Sequence, residues 1–344
     1  MAQSETGQPG SRFKLTTQGK WVLVLTPFAL LLIVILGLMW WWDKEVPLYD
    51  NVVRTRTDAA ARGEQVVVGT LTTDALIQVV DHMLHKRGGY LSNDVLPPGI
   101  FMDNMPNWEF GVLVQCRDLA RAMRNGFSRS LTQSVEDKDL AEAEPLLSST
   151  NDRWLFPSSE SQYGDAMELL RHYRHRLQDD NKDDAQFFAR ADNLADYLGV
   201  VESRLGSLSQ RLSASVGQLR VNTDLGSDSS ATQSRPGPGQ NQVETPWTQI
   251  DDVFYEARGT AFALTIFLHA IEHDFGSILD NKNARVNLQQ VIRELEEAEE
   301  PVSSPMILNG ANFGLFANHS LVLANYISRA NATVIELRNL LERG

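Results

Sequence analysis

The longest apolar stretch of the chain runs from Trp21 to Trp42 and contains no charged residue. A helix of this length spans about 33 Å, enough for the roughly 30 Å hydrocarbon core of a bilayer. Backbone amides in hydrocarbon must pair within their own segment, so a lone crossing segment has to be helical. Tryptophan favours the membrane interface, and Trp21 lies at one end of the stretch with Trp40, Trp41 and Trp42 at the other. The pattern predicts a transmembrane helix over residues 21–42.

A cleaved signal peptide and a buried core helix are the two other interpretations of this stretch. The apolar region of a signal peptide is usually shorter and ends in small residues, whereas this one ends in three tryptophans. A core helix of a soluble protein rarely runs so far without a polar side chain. Both alternatives are therefore weaker than a spanning helix.

The residues on the two sides of the stretch differ in charge. Residues 1–20 carry three lysines or arginines and one acidic residue, while residues 43–45 carry two acids and one lysine. Because the more basic flank stays in the cytosol, we expect a cytosolic tail over residues 1–20 and export of residues 43–344. An exported eukaryotic domain of this size would usually contain disulfides, and this chain has one cysteine, so the predicted location is a bacterial inner membrane, crossed once, with the body in the periplasm.

After residue 42 the apolar positions recur mainly at helical spacing. No strand-like alternation of any length appears apart from residues 65–70. The fold class is predicted to be all-α, with a transmembrane helix followed by a periplasmic helical bundle that contains long coiled-coil-like helices. Predicted helices cover residues 72–84, 108–127, 139–147, 164–177, 183–219, 248–279 and 284–300, and a last one ends at Arg343.

Two of these helices carry apolar residues at alternating steps of four and three. This 3.5-residue period is typical of a coiled-coil seam. The first seam consists of Phe187, Ala191, Leu194, Leu198, Val201, Leu205, Leu208, Leu212, Ser215 and Leu219, and the second of Leu323, Ile327, Ala330, Val334, Leu337 and Leu341.

The composition of residues 221–246, rich in Gly, Ser, Pro and Gln, is that of a flexible linker. It divides the exported part into a helical region over residues 43–220 and a second one over residues 247–344, which we expect to pack with the first. Residues 45–65 are interpreted as a connector without a regular element.

Two segments are rich in turn residues yet contain many large apolar ones: the first loop, residues 88–108, and the second loop, residues 301–320. Since exposed apolar side chains are costly, we expect both loops to pack on the helices and to converge at one end of the body, where they form a partner-binding surface. Hydrogen bonds that only fix the loops are the other interpretation of their polar residues. The candidate partner-binding residues are Asn93, Asp94, Phe101, Asp103, Asn107, Asn309, Asn312, Phe313 and His319.

The chain has 44 acidic and 31 basic residues, a net charge of −13. An acidic surface repels nucleic acid and anionic headgroups, so neither is expected as a partner of the exported part. The single cysteine, Cys116, lies among apolar residues, which favours a buried and unreactive thiol.

The clearest chemical motif is His269-Ala-Ile-Glu272-His273, which has the H-x-x-E-H spacing of some zinc hydrolases. On a helix the two histidines lie one turn apart and can share a metal, while Glu272 can activate a water. Helix-surface residues show the same pattern, and no third ligand is evident. No phosphate-binding loop, nucleophile elbow or C-x-x-C motif is present, so no cofactor is predicted.

Four strings occur together in this chain: WWWDKE, RGGYLSNDVLPPGIFMDNMPNWEFGVLVQCRDLARAMR, FYEARGTAFAL and PMILNGANFGLFANHSLVLANYISRANA. With them the chain resembles a family of Gram-negative inner-membrane proteins defined only as a domain of unknown function. The resemblance covers nearly the whole chain except the tail and the predicted linker. It implies a bacterial envelope protein with one N-terminal anchor, and it implies no activity or catalytic residue.

These observations favour a non-enzymatic scaffold or adaptor of the cell envelope that contacts lipid through residues 21–42. Its expected partner is another envelope protein or a second copy of the chain. The alternative is a metal-dependent envelope hydrolase that uses His269, Glu272 and His273.

Overall fold

The structure is a computed structural model that describes residues 17–130, 135–179, 184–221, 240–302, 304, 306–309 and 317–343. Within them the chain is all-α, as predicted. The helices are α1 (Thr17–Trp42), α2 (Asn51–Arg62), α3 (Thr70–His85), α4 (Asn104–Ala122), α5 (Lys138–Leu147), α6 (Ser159–Gln178), α7 (Ala191–Ser213), α8 (Ile250–Asp274), α9 (Gly276–Asn281), α10 (Arg285–Ala298) and α11 (His319–Glu342). A short π-helix, Met123–Phe127, extends α4, and short 3-10 helices cover Gly99–Phe101, Ala214–Val216 and Trp247–Gln249.

Helix α1 is long and apolar enough to cross a membrane, and none of its residues from Leu25 to Trp42 is buried by protein. It is the only such helix among the described residues. The side chain of Trp21 lies outside the described part of the structure. An apolar helix without a protein cover needs another apolar environment, which is the condition that a bilayer satisfies.

Helix α8 lies at the centre of the body, and every residue from Ala257 to Leu268 is buried. The sequence predicts one apolar face, but small and apolar residues occupy all sides of this helix, so it packs against α3, α4, α7 and α10. Its crossing with α4 is close, since a Cβ added at Gly259 would lie 2.0 Å from the backbone oxygen of Trp108. Its far end is held by Asp274, which accepts hydrogen bonds from the amide (2.8 Å) and hydroxyl (2.7 Å) of Thr72.

The two helices with predicted seams, α7 and α11, pack along each other. Seam positions from Leu194 to Leu212 and from Leu323 to Leu341 are buried. Helix α7 begins at Ala191, later than predicted, and Phe187 precedes it as a half-buried residue beside Phe127 and Phe275. Coiled-coil geometry for this pair stays a prediction.

The two ends of the predicted linker are paired with each other. Strands β1 (Gln218–Val221) and β2 (Gln240–Val243) form an antiparallel ladder, and residues 222–239 between them lie outside the described residues. Helices on both sides of this segment share one hydrophobic core.

The predicted connector contains a helix that the hydrophobic pattern does not reveal. Asp50 caps α2 by accepting a 2.9 Å hydrogen bond from the amide of Val53, and Gly63 ends it with φ at +69°. Half of the buried face of α2 is polar, so its apolar period is weak.

Candidate functional site at the end of the apolar helix

The H-x-x-E-H motif lies on α8, but its three side chains are held by separate partners. The Nε2 of His269 lies 3.2 Å from a carboxylate oxygen of Glu296. Glu272 Oε1 accepts hydrogen bonds from Gln289 Nε2 at 2.7 Å and from Arg285 Nη1 at 3.4 Å. His269 and Glu272 therefore join α8 to α10.

The third residue of the motif, His273, has Arg56 as its neighbour, with Nδ1 and Nη2 3.4 Å apart. Burial and then the nearby Arg56 lower the pKa of His273. Among the described residues no group of three or more His, Cys, Asp or Glu side chains could hold a metal ion. The geometry thus offers no support for the hydrolase alternative.

The C-terminal end of α1 is fixed to the body by aromatic contacts. The guanidinium of Arg87 lies over the Trp41 ring at 4.7 Å, and Lys44 lies over the Trp40 ring at 4.5 Å. The Trp42 ring fills the space at Gly88, where an added Cβ would lie 2.7 Å from it. Trp40 and Trp41 remain exposed at the end of α1 that joins the body.

The C-terminal end of the first loop also lies beside the end of α1. Asp103 caps α4, accepting from the amide of Asn104 at 3.0 Å, and the side chain of Asn104 reaches Asp43 Oδ1 at 3.3 Å. Asn107 directly precedes the predicted helix over residues 108–127, but it lies inside α4 and its Nδ2 donates to Asp252 at 2.7 Å. One end of the loop therefore packs on Trp42, the last residue of the apolar helix, and the other end contacts Asp43, the residue after it.

Asn93 holds the middle of the first loop against the segment before α6. Its Nδ2 donates to the backbone oxygen of Arg153 at 3.1 Å and to Glu160 at 2.7 Å. Asp94 lies against Gly99, where an added Cβ would meet its carboxylate at 2.1 Å. These two candidate residues shape the loop, as the loop-fixing interpretation expects.

The most deeply buried support of the first loop is Glu109, a residue that sequence reasoning missed. Its carboxylate accepts 2.8 Å hydrogen bonds from the amides of Leu91 and Ser92 and pairs with Lys86. Burial raises the pKa of Glu109, while Lys86 lowers it in part. An acid near the start of a broadly apolar helix was the available signal, since buried carboxylates need a partner.

The expectation that the large apolar side chains of the loops are buried is wrong for several of them. Tyr90, Leu91, Met105 and Trp108 are buried, but Phe101 is 63% exposed and Leu96 72%. Ile100 and, in the second loop, Met306 are exposed as well. The first loop is held in place by buried residues while its tip stays uncovered.

In the second loop, Asn309 and His319 fix the backbone. Asn309 pairs with Asn318 across an isolated bridge, and its Oδ1 accepts from the amide of Ser320 at 3.1 Å. His319 accepts through Nδ1 from the amide of Leu308 at 3.0 Å. Asn312 and Phe313 lie outside the described residues.

A cleft of about 970 Å³ opens where α1, α8 and the end of α10 meet. The start of the second loop lines it, and so does Asp43, which the first loop contacts. Its lining contains apolar side chains together with acidic and basic ones. The lining residues are Trp40, Asp43, Lys44, Glu45, Val46, Pro47, Leu48, Arg87, Phe254, Tyr255, Arg258, Glu296, Glu299, Glu300, Pro301, Val302 and Ser304. A smaller cavity of about 280 Å³, which reaches His319 and Tyr326, lies beside it.

The floor of the cleft is built around the buried Arg258 of α8. Its Nε donates to Glu45 at 3.0 Å, and its Nη1 donates to the backbone oxygens of Ala298 and Glu300, each at 2.8 Å. One side chain thereby joins the segment after α1 to the start of the second loop. We call Glu45, Arg258 and Glu299 the Arg258 cluster.

Glu299 is the third member of this cluster. Its carboxylate lies 3.8 Å from Arg258 Nε and is almost inaccessible to water. Burial raises the pKa of Glu299 well above its usual range, and Arg258 opposes that rise. Sequence reasoning missed the cluster, although a lone arginine within the apolar string FYEARGTAFAL was a signal.

A comparison with protein-family models places this architecture in a known family. The model described as "Uncharacterized protein conserved in bacteria (DUF2333)" matches residues 15–344. The chain belongs to this family. The resemblance seen in the sequence is thus confirmed for DUF2333, and the match includes α1, both loops and the cleft. No curated protein and no solved structure matches the chain.

Proposed function

We propose that this DUF2333 protein is an adaptor of the bacterial envelope that holds a partner protein at the membrane surface. Helix α1 spans the inner membrane once, with residues 1–20 in the cytosol and the helical body in the periplasm. The cleft at the end of α1 is the partner site. The single observation that carries the proposal is the cleft itself, which opens beside the exit of an apolar, uncovered helix.

The location of the cleft limits the kind of partner. Trp40 and Trp41 lie at the level of the membrane interface when α1 spans the bilayer. Since Trp40 lines the cleft, the cleft is open to a partner segment that lies at the membrane surface. Phe254 and Tyr255 supply apolar wall, while Glu296 and Glu300 are exposed carboxylates on its rim. This lining fits an extended protein segment with apolar side chains and a basic residue, such as the juxtamembrane part of another envelope protein.

The hydrogen bonds within the cleft favour a binding role over a catalytic one. Arg258 uses its donors on Glu45 and on two backbone oxygens, so it fixes the walls and has little capacity for a substrate. Because the cleft walls are already held in place, less conformational entropy is lost when a partner binds, which favours the affinity of an adaptor for its partner.

Photo-crosslinking from the cleft tests the proposal. A photoreactive residue at Glu300 in the full-length chain should crosslink in living cells to one envelope protein. The matched control is Val286, which is 73% exposed at the start of α10, whereas the cleft lies at the other end of that helix. A product at twice the mass of the chain would identify self-association instead. Equal crosslinking patterns from Glu300 and Val286 would contradict a partner site in the cleft.

The membrane topology has its own test. A periplasmic reporter fused after residue 344 should be active and a cytosolic reporter silent. The opposite result would remove both the orientation and the adaptor proposal.

A further inference from the structure

Two loop tips of the body expose an unusual number of large apolar side chains. One tip belongs to the first loop and the other to the segment between α5 and α6, and each contains a cis peptide bond before a proline. Phe156 is 95% exposed, the highest value among the large apolar side chains of the described residues. We call the following six exposed residues the apolar loop tips: Leu96, Ile100, Phe101, Trp154, Leu155 and Phe156.

The two tips lie side by side. The side chain of Asn93, just before the first tip, donates to the backbone oxygen of Arg153, which directly precedes the second tip. The hydroxyl of Tyr90 donates to the backbone oxygen of Asn151 at 3.0 Å. These contacts join the bases of the two tips. An exposed apolar patch such as their side chains provide usually marks an interaction surface on a monomer.

The patch lies beside the end of α1. The first loop begins at Gly88, packed on Trp42, and leads into Asn104, which contacts Asp43. Residues 88–104 thus leave and rejoin the body at the two residues where α1 ends. If α1 spans a bilayer, the membrane interface lies at this level, next to the two ends of the first loop.

We propose that the apolar loop tips insert into the periplasmic leaflet beside α1 and form a second membrane contact. This inference rests on the proposed spanning role of α1 and adds a contact that the acidic net charge of the chain did not suggest. The attraction is hydrophobic, since the six tip residues are uncharged. The buried Glu109 and Asn93 hold the tips in a fixed arrangement, so insertion requires no refolding.

A second membrane contact has a consequence for the cleft. A body attached only through α1 can tilt around the end of that helix. With the tips inserted, the body has one orientation on the membrane, and the cleft keeps a constant height above the lipid surface. The tips therefore set where the juxtamembrane segment of a partner can be held.

Fluorescence quenching by lipid tests the proposal. The full-length variants Leu96→Cys, Phe101→Cys and Phe156→Cys are each labelled with a nitrobenzoxadiazole dye. The native Cys116 is buried and stays unlabelled. The protein is placed in phosphatidylcholine nanodiscs with or without bromine on the acyl chains. Emission from all three tip positions should fall in brominated lipid, and it should stay unchanged for the control label at Val286.

A label at Leu36, in the middle of α1, separates failure of the inference from failure of the anchor. Quenching at Leu36 without quenching at the tips would overturn the second contact while the anchor stands. Absence of quenching at Leu36 would overturn both. Tip labels that remain in water in nanodiscs but become shielded in native membranes would assign the patch to a protein partner, which also contradicts lipid insertion.

Discussion

Replacement of Arg258 by methionine is the most direct test of how the cleft is built. Methionine keeps most of the apolar stem but removes the guanidinium, which is only 5% exposed. Glu45 then loses its cation, and the backbone oxygen of Ala298 loses a donor in the interior. Breaking a buried ion pair from one side costs about 3–5 kcal/mol.

Two features place the expected loss for Arg258→Met at the lower end of that range, about 3 kcal/mol. The carboxylate of Glu45 is 22% exposed and regains some water. Glu299, with its raised pKa, can become neutral instead of remaining as an unpaired charge. The double variant Glu45→Gln with Arg258→Met should recover part of the loss, because the two side chains interact directly.

Urea unfolding of the full-length chain in detergent micelles, followed by circular dichroism, measures this effect. The matched control is Arg338→Met, which breaks partly exposed pairs with Glu202 and Glu342 and should cost no more than about 1 kcal/mol. If Arg258→Met cost as little as this control, or if the double variant showed no coupling, Arg258 would not be the residue that holds the cleft together.

Three further predictions concern the core. Gly259→Ala should destabilise the fold by about 3 kcal/mol or more, since the new Cβ meets the backbone of Trp108. Gly164→Ala, which has nothing within 4 Å of the new Cβ, should stabilise it by about 0.5–1 kcal/mol, and thermal unfolding of both variants measures the contrast. Burial raises the pKa of Asp274 from 3.8 to about 6, so its stabilising contribution is complete below pH 3.8 and is lost as the pH rises through 6. The expected loss of unfolding free energy is on the order of 3 kcal/mol. If the stability of Asp274→Asn fell as steeply between these pH values as that of the unchanged protein, Asp274 would not be the group responsible. Burial also raises the pKa of the Cys116 thiol, so mass spectrometry should detect maleimide labelling in urea and none in the native protein.

What the sequence determined was mostly local. An uncharged stretch between tryptophans predicts a helix that can span a membrane, and apolar positions at helical spacing predict most of the other helices within a few residues. The observed caps Asp50 and Asp103 are of a residue type that favours helix starts, because short polar side chains satisfy free amides there, but the sequence pattern located neither cap. Where the apolar period was weak, as in α2, pattern reasoning found no helix.

The tertiary structure decided everything that depends on which distant residues meet. Glu109 and Arg258 look like chance charges in apolar helices until the loop amides and Glu45 come within hydrogen-bond distance. The sequence suggested burial for Phe101, but packing covers the loop through Tyr90 and Leu91 and leaves its tip exposed. The H-x-x-E-H spacing was visible in the sequence, whereas the separate partners of its side chains were not. Periodicity reports the environment of a residue along its own helix, and contacts between segments far apart in the chain leave no periodic trace.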